Sequence, residues 1–293
     1  MFRGSLTALV TPFKNGAVDD NAFATLVERQ INAGTHGLVP CGTTGESPTL
    51  TTVEKKHLIS LTVELSAGRV PVIAGVGSNS TAATIEMQAF ARDAGVDAGL
   101  VVTPYYNKPS QDGLFAHFEA ISDAVDLPII VYNIPGRSIV DISNATMVRI
   151  AKLKNVIGVK DATGDIARVS AYRTSIGDDF CQLSGEDPTA IGYNAQGGVG
   201  CISVTSNVAP ALCSRMQIAT LEGHYDEANA LQAKLYALHE ALFMSPSPGP
   251  AKYALSLMGL CSDELRLPLT PPDETLKARI RDALDQAGLE YVS

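Results

Sequence analysis

The stretch that decides the fold is VPVIAGVGSNSTAATIEMQAFARDAGVDAGLVVTPYY, residues 70–106. It opens with an apolar run of strand length and passes through small turn residues. A segment follows whose apolar residues recur every three or four positions, and a second apolar run begins at Ala98. The middle segment ends at Gly95, a residue type that commonly terminates helices. The pattern predicts a β-α-β unit, which typically takes about 30 residues.

The same alternation continues along most of the chain. Strand-like runs that end in turn residues are separated by segments of helical period. The eight runs begin at Ser5, His36, Val70, Ala98, Leu127, Asn155, Phe180 and Gly198. Eight such units predict a (β/α)8 TIM barrel, and a doubly wound open sheet is the alternative.

The C-terminal part of the sequence has a different pattern. After Ala219 no strand-like run follows, and three helical segments appear at 222–244, 249–260 and 273–288, separated by proline-rich linkers. We therefore expect residues 1–222 to form the barrel that carries the functional site. Residues 223–293 are expected to form a C-terminal three-helix extension.

Composition limits the class of protein. The 293 residues are 45% hydrophobic and carry a formal net charge of −9, which argues against nucleic acid or an anionic membrane as the main partner. The five cysteines show no CxxC spacing, as expected in a reduced compartment. Neither a signal peptide nor a run long enough to span a membrane is apparent. These features predict a soluble cytoplasmic protein.

Lys160 lies near the end of the sixth run, NVIGVKDATGD, which otherwise reads as a buried strand. Because strand side chains alternate, we expect Gly158 and Lys160 to point into the barrel, with Ile157 and Val159 packed under the helices. Gly158 would leave room beneath the lysine. Burial there would favour the neutral amine, a nucleophile that forms Schiff bases with carbonyls. The alternatives are a lysine paired with Asp161 or Asp165, and a lysine that simply lies at the solvated end of the strand.

The ends of two other runs supply hydroxyl groups and an arginine. The second run ends in CGTTGES, where Thr43, Thr44 and two glycines suit a cradle for a carboxylate or carbonyl; a plain strand-to-helix turn is the alternative. The fifth run ends in YNIPGR. Tyr132 can relay protons if a neighbour accepts them, and Arg137 can clamp a carboxylate. A core tyrosine and a surface arginine are the corresponding structural alternatives.

The remaining run ends carry weaker signals. Tyr105 and Tyr106 lie on the loop after the fourth run, where paired tyrosines commonly mark an interface. The seventh and eighth runs end in SGED and GCISVTSN, which bring Gly185 and the backbone of Ile202 to the rim. The histidines lack metal-ligand spacing, and GVGSNS lacks the final glycine of a dinucleotide fingerprint. The sequence therefore predicts neither a metal nor a nucleotide.

Taken together, the motifs GTTGES, TPYYNKP, YNIPGR, GVKDATG, SGED and GCISVTSN occur in this order at barrel spacing. With PAKYALSLMGL and LRLPLTPP near the C-terminus, the chain resembles the dihydrodipicolinate synthase family of pyruvate-dependent class I aldolases over essentially its whole length. The resemblance implies that Lys160 forms a Schiff base with pyruvate. It further implies that the resulting enamine attacks L-aspartate 4-semialdehyde and that no cofactor takes part.

The resemblance also implies how protons move. Tyr132 would be the general acid and base. Thr43 would connect it to Tyr106, which would enter from a neighbouring subunit of a homotetramer built as a dimer of dimers. The physical chemistry agrees, because the enamine step needs a proton acceptor beside the imine.

Substrate contacts follow from the same resemblance. Thr44 and the backbone of Ile202 would hold the carboxylate of pyruvate, and Arg137 would meet that of the semialdehyde, with Gly185 near the bound substrate. One alternative is another aldolase of this superfamily, such as an N-acetylneuraminate lyase or a keto-deoxy sugar-acid aldolase. The other is a barrel that binds a keto acid without catalysis.

One departure from the family concerns regulation. Members inhibited by L-lysine carry two histidines and a glutamate at positions that here look like Thr52, Lys55 and Ala83. A cation at Lys55 and the missing glutamate should weaken binding of a cationic effector. We therefore expect weak or absent feedback by lysine. Three other positions of that effector site are retained: Ser47, Asn79 and Tyr105.

Overall fold

A computed structural model describes residues 2–291 and shows eight parallel strands arranged as a barrel with helices between them. The barrel strands are β1 (Gly4–Ala8), β2 (Gly37–Val39), β3 (Ile73–Gly75), β4 (Ala98–Val102), β5 (Ile129–Asn133), β6 (Val156–Asp161), β7 (Cys181–Ser184) and β8 (Gly200–Ser203). Each of the eight predicted runs overlaps one of them, and β1 begins one residue before its run. The predicted (β/α)8 TIM barrel is confirmed.

The strands are hydrogen-bonded in the order β2-β1-β8-β7-β6-β5-β4-β3, and the barrel closes where β2 meets β3. A single bridge joins Leu38 to Val72 at this junction, which is termed the β2–β3 seam below. Two backbone hydrogen bonds flank it, from the Leu38 N–H to the Pro71 carbonyl and from the Gly75 N–H to the Pro40 carbonyl, both at 2.9 Å. Because these contacts join the two ends of the sheet, the doubly wound open sheet is excluded.

Twelve helices are present among the described residues, and none has both the length and the apolar character needed to cross a membrane. They are α1 (Asp20–Asn32), α2 (Thr52–Ser66), α3 (Thr81–Asp93), α4 (Gln111–Ala124), α5 (Pro135–Ser138), α6 (Asn144–Ile150), α7 (Ala167–Ser175), α8 (Ala190–Ala195), α9 (Pro210–Leu221), α10 (Tyr225–Ala241), α11 (Gly249–Leu257) and α12 (Glu274–Gln286). The last three are the predicted extension.

Buried apolar side chains form three clusters. One fills the barrel and includes Leu100, Ile130 and Ile202. The second lies between the strands and the surrounding helices. The third joins α9 to α10–α12 and includes Met216 and Leu235. The proposed boundary at residue 222 therefore falls between two helices that pack on each other.

Strand β6 departs from simple alternation. Val156 and Val159 both lie in the outer cluster, whereas Ile157 packs against the cluster inside the barrel. The ladder between β5 and β6 shifts register near its start, which turns Ile157 inward. The prediction that Ile157 packs under the helices was therefore wrong. Lys160 lies beyond the shift and keeps its predicted inward orientation, because its amine lies over a ring inside the barrel.

Candidate active site

Lys160 and Tyr132 lie opposite each other on β6 and β5. The Nζ atom of Lys160 is 4.3 Å from the centre of the Tyr132 ring, and the two residues are only 6% and 5% exposed. Within residues 2–291, no carboxylate oxygen forms an ion pair with this amine. The carboxylate of Asp161 instead accepts hydrogen bonds from the N–H and hydroxyl of Thr163, at 2.9 and 2.7 Å. The structure therefore presents a buried amine against an aromatic face rather than a lysine–aspartate pair.

Room for the amine comes from Gly185 and not from Gly158. A Cβ atom at Gly185 would lie 3.1 Å from Cε of Lys160 and 2.8 Å from Cβ of Ala162. A Cβ atom at Gly158 would instead lie 2.3 Å from the carbonyl oxygen of Cys181. Gly158 thus allows β7 to approach β6 closely, and the expectation that it leaves room beneath the lysine was wrong.

Residues 42–47 form a compact loop after β2. The N–H groups of Gly45 and Glu46 donate to the carbonyls of Gly42 and Thr43, both at 3.1 Å. Thr44 is buried and Thr43 is half-buried. These short-range bonds fix the backbone that carries both hydroxyl groups.

A cavity of about 270 Å³ brings predicted residues together at the C-terminal ends of the strands. Thr43, Tyr132 and Arg137 line it from three different segments of the chain. Among the described residues, its wall carries hydroxyl groups, the two cations Arg137 and Lys55, and no carboxylate. A small ligand with a carboxylate would therefore meet donors and positive charge without repulsion. Two of the retained effector positions line the same cavity: Ser47 and Tyr105.

The predicted residues Ile202, Asn79 and Tyr106 do not line this cavity. Ile202 is fully buried on β8. The carbonyl of Asn79 accepts a hydrogen bond from Nδ2 of Asn107 at 2.9 Å. Tyr106 is 87% exposed, is not among the residues that line the cavity, and has a φ of +73°, which is unusual for a bulky side chain. The loop therefore directs Tyr106 away from the cavity of its own chain.

Two acidic residues near the amine are electrostatically perturbed. Burial raises the pKa of Asp161, whose Oδ2 atom has no hydrogen-bond partner among the described residues. Burial also raises the pKa of Glu186, and the neighbouring Asp187 adds to the shift. Both carboxyl groups therefore hold their protons more strongly than exposed acids of the same type.

Two charged residues beside this site were not predicted from the sequence. Glu46 in the loop and Lys252 on α11 have fully buried side chains, and Nζ of Lys252 donates to Oε1 of Glu46 at 2.8 Å. One feature of the sequence could have indicated a buried charge: Lys252 interrupts the apolar helix PAKYALSLMGL, and no acidic residue lies one turn away from it.

The chain matches one protein-family model over almost its whole length. The model described as the dihydrodipicolinate synthetase family matches residues 1–287. The chain belongs to this family. The family predicted from the ordered motifs is thus confirmed.

Curated relatives of the dihydrodipicolinate synthetase family match the chain from end to end. A 4-hydroxy-tetrahydrodipicolinate synthase from Parvibaculum lavamentivorans is 62% identical over 289 residues, which covers 99% of each chain. The protein of that name from Rhodospirillum centenum is 60% identical over 289 residues, again covering 99% of each.

Solved structures of the family agree with the fold. The dihydrodipicolinate synthase of Aquifex aeolicus superimposes with a TM-score of 0.97 at 41% identity and 100% coverage of both chains. The chloride-inhibited dihydrodipicolinate synthase of Acinetobacter baumannii, complexed with pyruvate, gives a TM-score of 0.97 at 44% identity. That match covers 99% of this chain and 100% of the other.

Proposed function

We propose that this chain is a 4-hydroxy-tetrahydrodipicolinate synthase, which condenses pyruvate with L-aspartate 4-semialdehyde in lysine and diaminopimelate biosynthesis. The observation that carries the proposal is the buried amine of Lys160, 4.3 Å from the centre of the Tyr132 ring. It lies at the C-terminal ends of the strands, where barrels of this kind place their catalytic groups. Relatives about 60% identical over the whole chain carry this name.

The reaction uses the lysine as a temporary covalent partner. The neutral amine of Lys160 adds to the ketone carbon of pyruvate, and water leaves as the imine forms. Loss of a methyl proton gives the enamine, whose carbon attacks the aldehyde and forms the new carbon–carbon bond. The amino group of the second substrate then displaces Lys160 as the ring closes. The enzyme amine is regenerated, so no cofactor is consumed.

Side chains around the lysine move protons and hold the substrates. Tyr132 carries protons to and from the imine and the enamine, and Thr43 connects it to Tyr106 of a neighbouring subunit. Two contacts, from Thr44 and from the backbone of Ile202, hold the carboxylate of pyruvate. The cavity that Thr43 and Tyr132 line together supports the roles of these two residues.

Arg137 binds the carboxylate of the semialdehyde, and Gly185 lies beside the imine. Among the described residues no carboxylate lines the cavity, which supports two substrates that each present a carboxylate group. Both substrates can thus be held by donors and cations that the described residues already provide.

The assembly we propose is a homotetramer in the cytoplasm. The exposed Tyr106 supports a second subunit, because a proton relay needs its hydroxyl near the cavity. All five cysteines are unpaired, which supports a reducing compartment.

Borohydride trapping tests the covalent step. Incubation with pyruvate and borohydride should add the reduced pyruvyl group to the peptide that contains Lys160, as read by peptide mass. Lys160→Ala should abolish the adduct. Lys154→Ala is the matched control, since Lys154 is an exposed lysine paired with Asp126. An adduct on another lysine, or none, would overturn the proposal.

A comparison of two aldehydes tests the identity of the second substrate. After pyruvate is bound, L-aspartate 4-semialdehyde should be condensed far faster than N-acetylmannosamine, the aldehyde partner in N-acetylneuraminate lyase chemistry. A preference for the sugar would contradict the synthase assignment and leave the lysine chemistry intact.

A further inference from the structure

The Glu46–Lys252 ion pair joins the catalytic side of the barrel to the C-terminal extension. Both side chains are 0% exposed, and the N–O distance is 2.8 Å. Removing two charges from water is costly, and the cost is offset only when they are paired with good geometry and their remaining hydrogen-bonding capacity is used. The contact bridges 206 positions of sequence. Its stability therefore depends on the close packing of α11 against the loop after β2.

The surroundings of the pair complete its hydrogen bonding. The second oxygen of Glu46 accepts from the backbone N–H of Arg266 at 3.1 Å. Nζ of Lys252 also lies 4.2 Å from the centre of the Phe13 ring, and the guanidinium carbon of Arg266 lies 4.3 Å from the same ring. A cation beside an aromatic face gains further stabilisation when desolvated. The carboxylate is thus held at both oxygens by the C-terminal region.

Glu46 is also constrained through its backbone. Its φ is +55°, a left-handed conformation that few residues with a side chain adopt. Its N–H donates to the carbonyl of Thr43 at 3.1 Å, and the hydroxyl of Thr11 donates to the neighbouring Gly45 carbonyl at 2.8 Å. A shift of the Glu46 side chain would therefore be transmitted to the turn that begins at Thr43.

We propose that Lys252 is a positioning residue, whose ion pair with Glu46 holds the loop at 42–47 and so fixes Thr43, which lines the substrate cavity, and the adjacent Thr44. Helix α11 thereby sets the geometry of a site that it does not touch. The inference deepens the proposed function, because it assigns a cause to the placement of the hydroxyl groups that would bind pyruvate. The family roles given above for this site include neither Glu46 nor Lys252.

A test of this proposal must separate the loss of loop position from the cost of leaving one buried charge unpaired. Burial lowers the pKa of Lys252, and the facing groups Glu46, Cys261 and Glu264 act in the opposite direction. Lys252→Met alone leaves a buried carboxylate without its cation, so that variant loses stability as well as position. The double variant Glu46→Gln with Lys252→Met removes both charges and retains much of the buried volume. It separates positioning from the cost of an unpaired charge.

The measurement is the pyruvate concentration that gives half-maximal borohydride trapping at Lys160. It needs no aldehyde and so does not depend on the second substrate. We expect the melting temperature of the double variant to lie within a few degrees of that of the wild type. Half-maximal trapping should need about tenfold more pyruvate, which corresponds to tenfold weaker binding of pyruvate. Lys277→Met is the matched control, because Lys277 lies on α12 and pairs with Glu274 outside the loop.

Each outcome has a defined meaning. A folded double variant that is trapped at the wild-type pyruvate concentration overturns the inference. If the double variant does not fold, Glu46→Gln with Lys252→Leu, which also removes both charges, decides by the same criterion. If the wild type is not trapped at any pyruvate concentration, the proposed function fails, which is a separate result.

Discussion

At the scale of single residues, Gly185 defines the wall against which the reactive amine rests. A methyl group there would lie 3.1 Å from Cε of Lys160 and 2.8 Å from Cβ of Ala162. We expect Gly185→Ala to slow imine formation by roughly 10² because a small displacement of a reacting group is costly. Single-turnover trapping with pyruvate measures this rate. Gly192→Ala is the control, since its nearest neighbour would be 3.6 Å away. Equal rates for both variants would contradict the prediction.

The hydroxyl of Tyr132 should matter more than its ring. Tyr132→Phe keeps the aromatic face beside Lys160 and removes the group that carries protons. We expect kcat to fall by about 10² to 10⁴, the usual contribution of general acid–base catalysis, while borohydride still traps pyruvate on Lys160. Steady-state kinetics with both substrates measures the loss. The surface variant Tyr225→Phe should behave like the wild type. A Tyr132→Phe enzyme with unchanged kcat would remove Tyr132 from the mechanism.

At the scale of elements, His117 connects α4 to α3 and makes stability depend on pH. Its Nδ1 is hydrogen-bonded to the hydroxyl of Thr81 at 2.9 Å, and burial lowers its pKa to about 4. The unfolded chain binds a proton near pH 6.5 and the folded chain does not. The free energy of unfolding should therefore fall as pH drops from about 6.5 to 4, by roughly 3 kcal/mol in total.

Urea unfolding at fixed protein concentration measures this effect. His117→Gln keeps a polar group at the position and removes the titration, so its stability should vary less across the same pH range. A variant with the same pH dependence as the wild type would show that other groups are responsible.

Helix α2 carries the departure that concerns regulation. Lys55 lines the substrate cavity, and burial lowers its pKa. A cationic effector would meet this charge and would find no carboxylate at Ala83. We expect millimolar L-lysine to leave the rate nearly unchanged, and Lys55→His with Ala83→Glu to create inhibition. Lys56→Ala is the control, because Lys56 pairs with Glu86 at 3.0 Å. Inhibition of the native enzyme at low lysine concentration would contradict the prediction.

Sequence patterns predicted the strands better than the helices. Barrel strands buried on both faces read as continuous apolar runs, and turn residues mark their ends. Helix α9 has a weak helical pattern in the sequence, because three of its seven buried residues are polar and its apolar residues do not form a separate face. The register shift in β6 has no counterpart in local composition. The Glu46–Lys252 contact could not be found from spacing, since it depends on how α11 packs.

In the candidate site, the residues at the strand ends were predicted, whereas the contacts between strands were not. Residues at strand ends, such as Lys160 and Tyr132, were placed because parallel strands bring their C-terminal ends together. The source of room for the amine was assigned to Gly158 instead of Gly185, because the approach of β7 is a tertiary contact. What a residue faces across a barrel is fixed by curvature and register, which local sequence does not encode.

At the scale of the whole molecule, the proposed relay uses Tyr106 from another copy of the chain. Tyr106→Phe and Lys160→Ala should each be nearly inactive alone. When the two variants are unfolded together and reassembled, hybrid pairs contain one site with Lys160 from the first chain and Tyr106 from the second. We expect a substantial fraction of wild-type activity to return. Recovery no greater than the sum of the two separate variants would show that each chain uses its own tyrosine.

The β2–β3 seam is paired less extensively than the ladder between β5 and β6. β5 and β6, which carry Tyr132 and Lys160, share five paired positions, whereas β2 and β3 share a single bridge. The hydroxyl loop extends from one side of the seam, and Gly75 and Gly77 line the cavity from the other. In the proposed mechanism, Lys160, Tyr132 and Arg137 lie on or follow the extensively paired strands β5 and β6, whereas Thr43 and Thr44 follow β2 at the seam. Substitutions around the seam would therefore change how the carboxylate of pyruvate is held without moving the nucleophile, which leaves the keto-acid side of the reaction open to adaptation while the covalent chemistry is preserved.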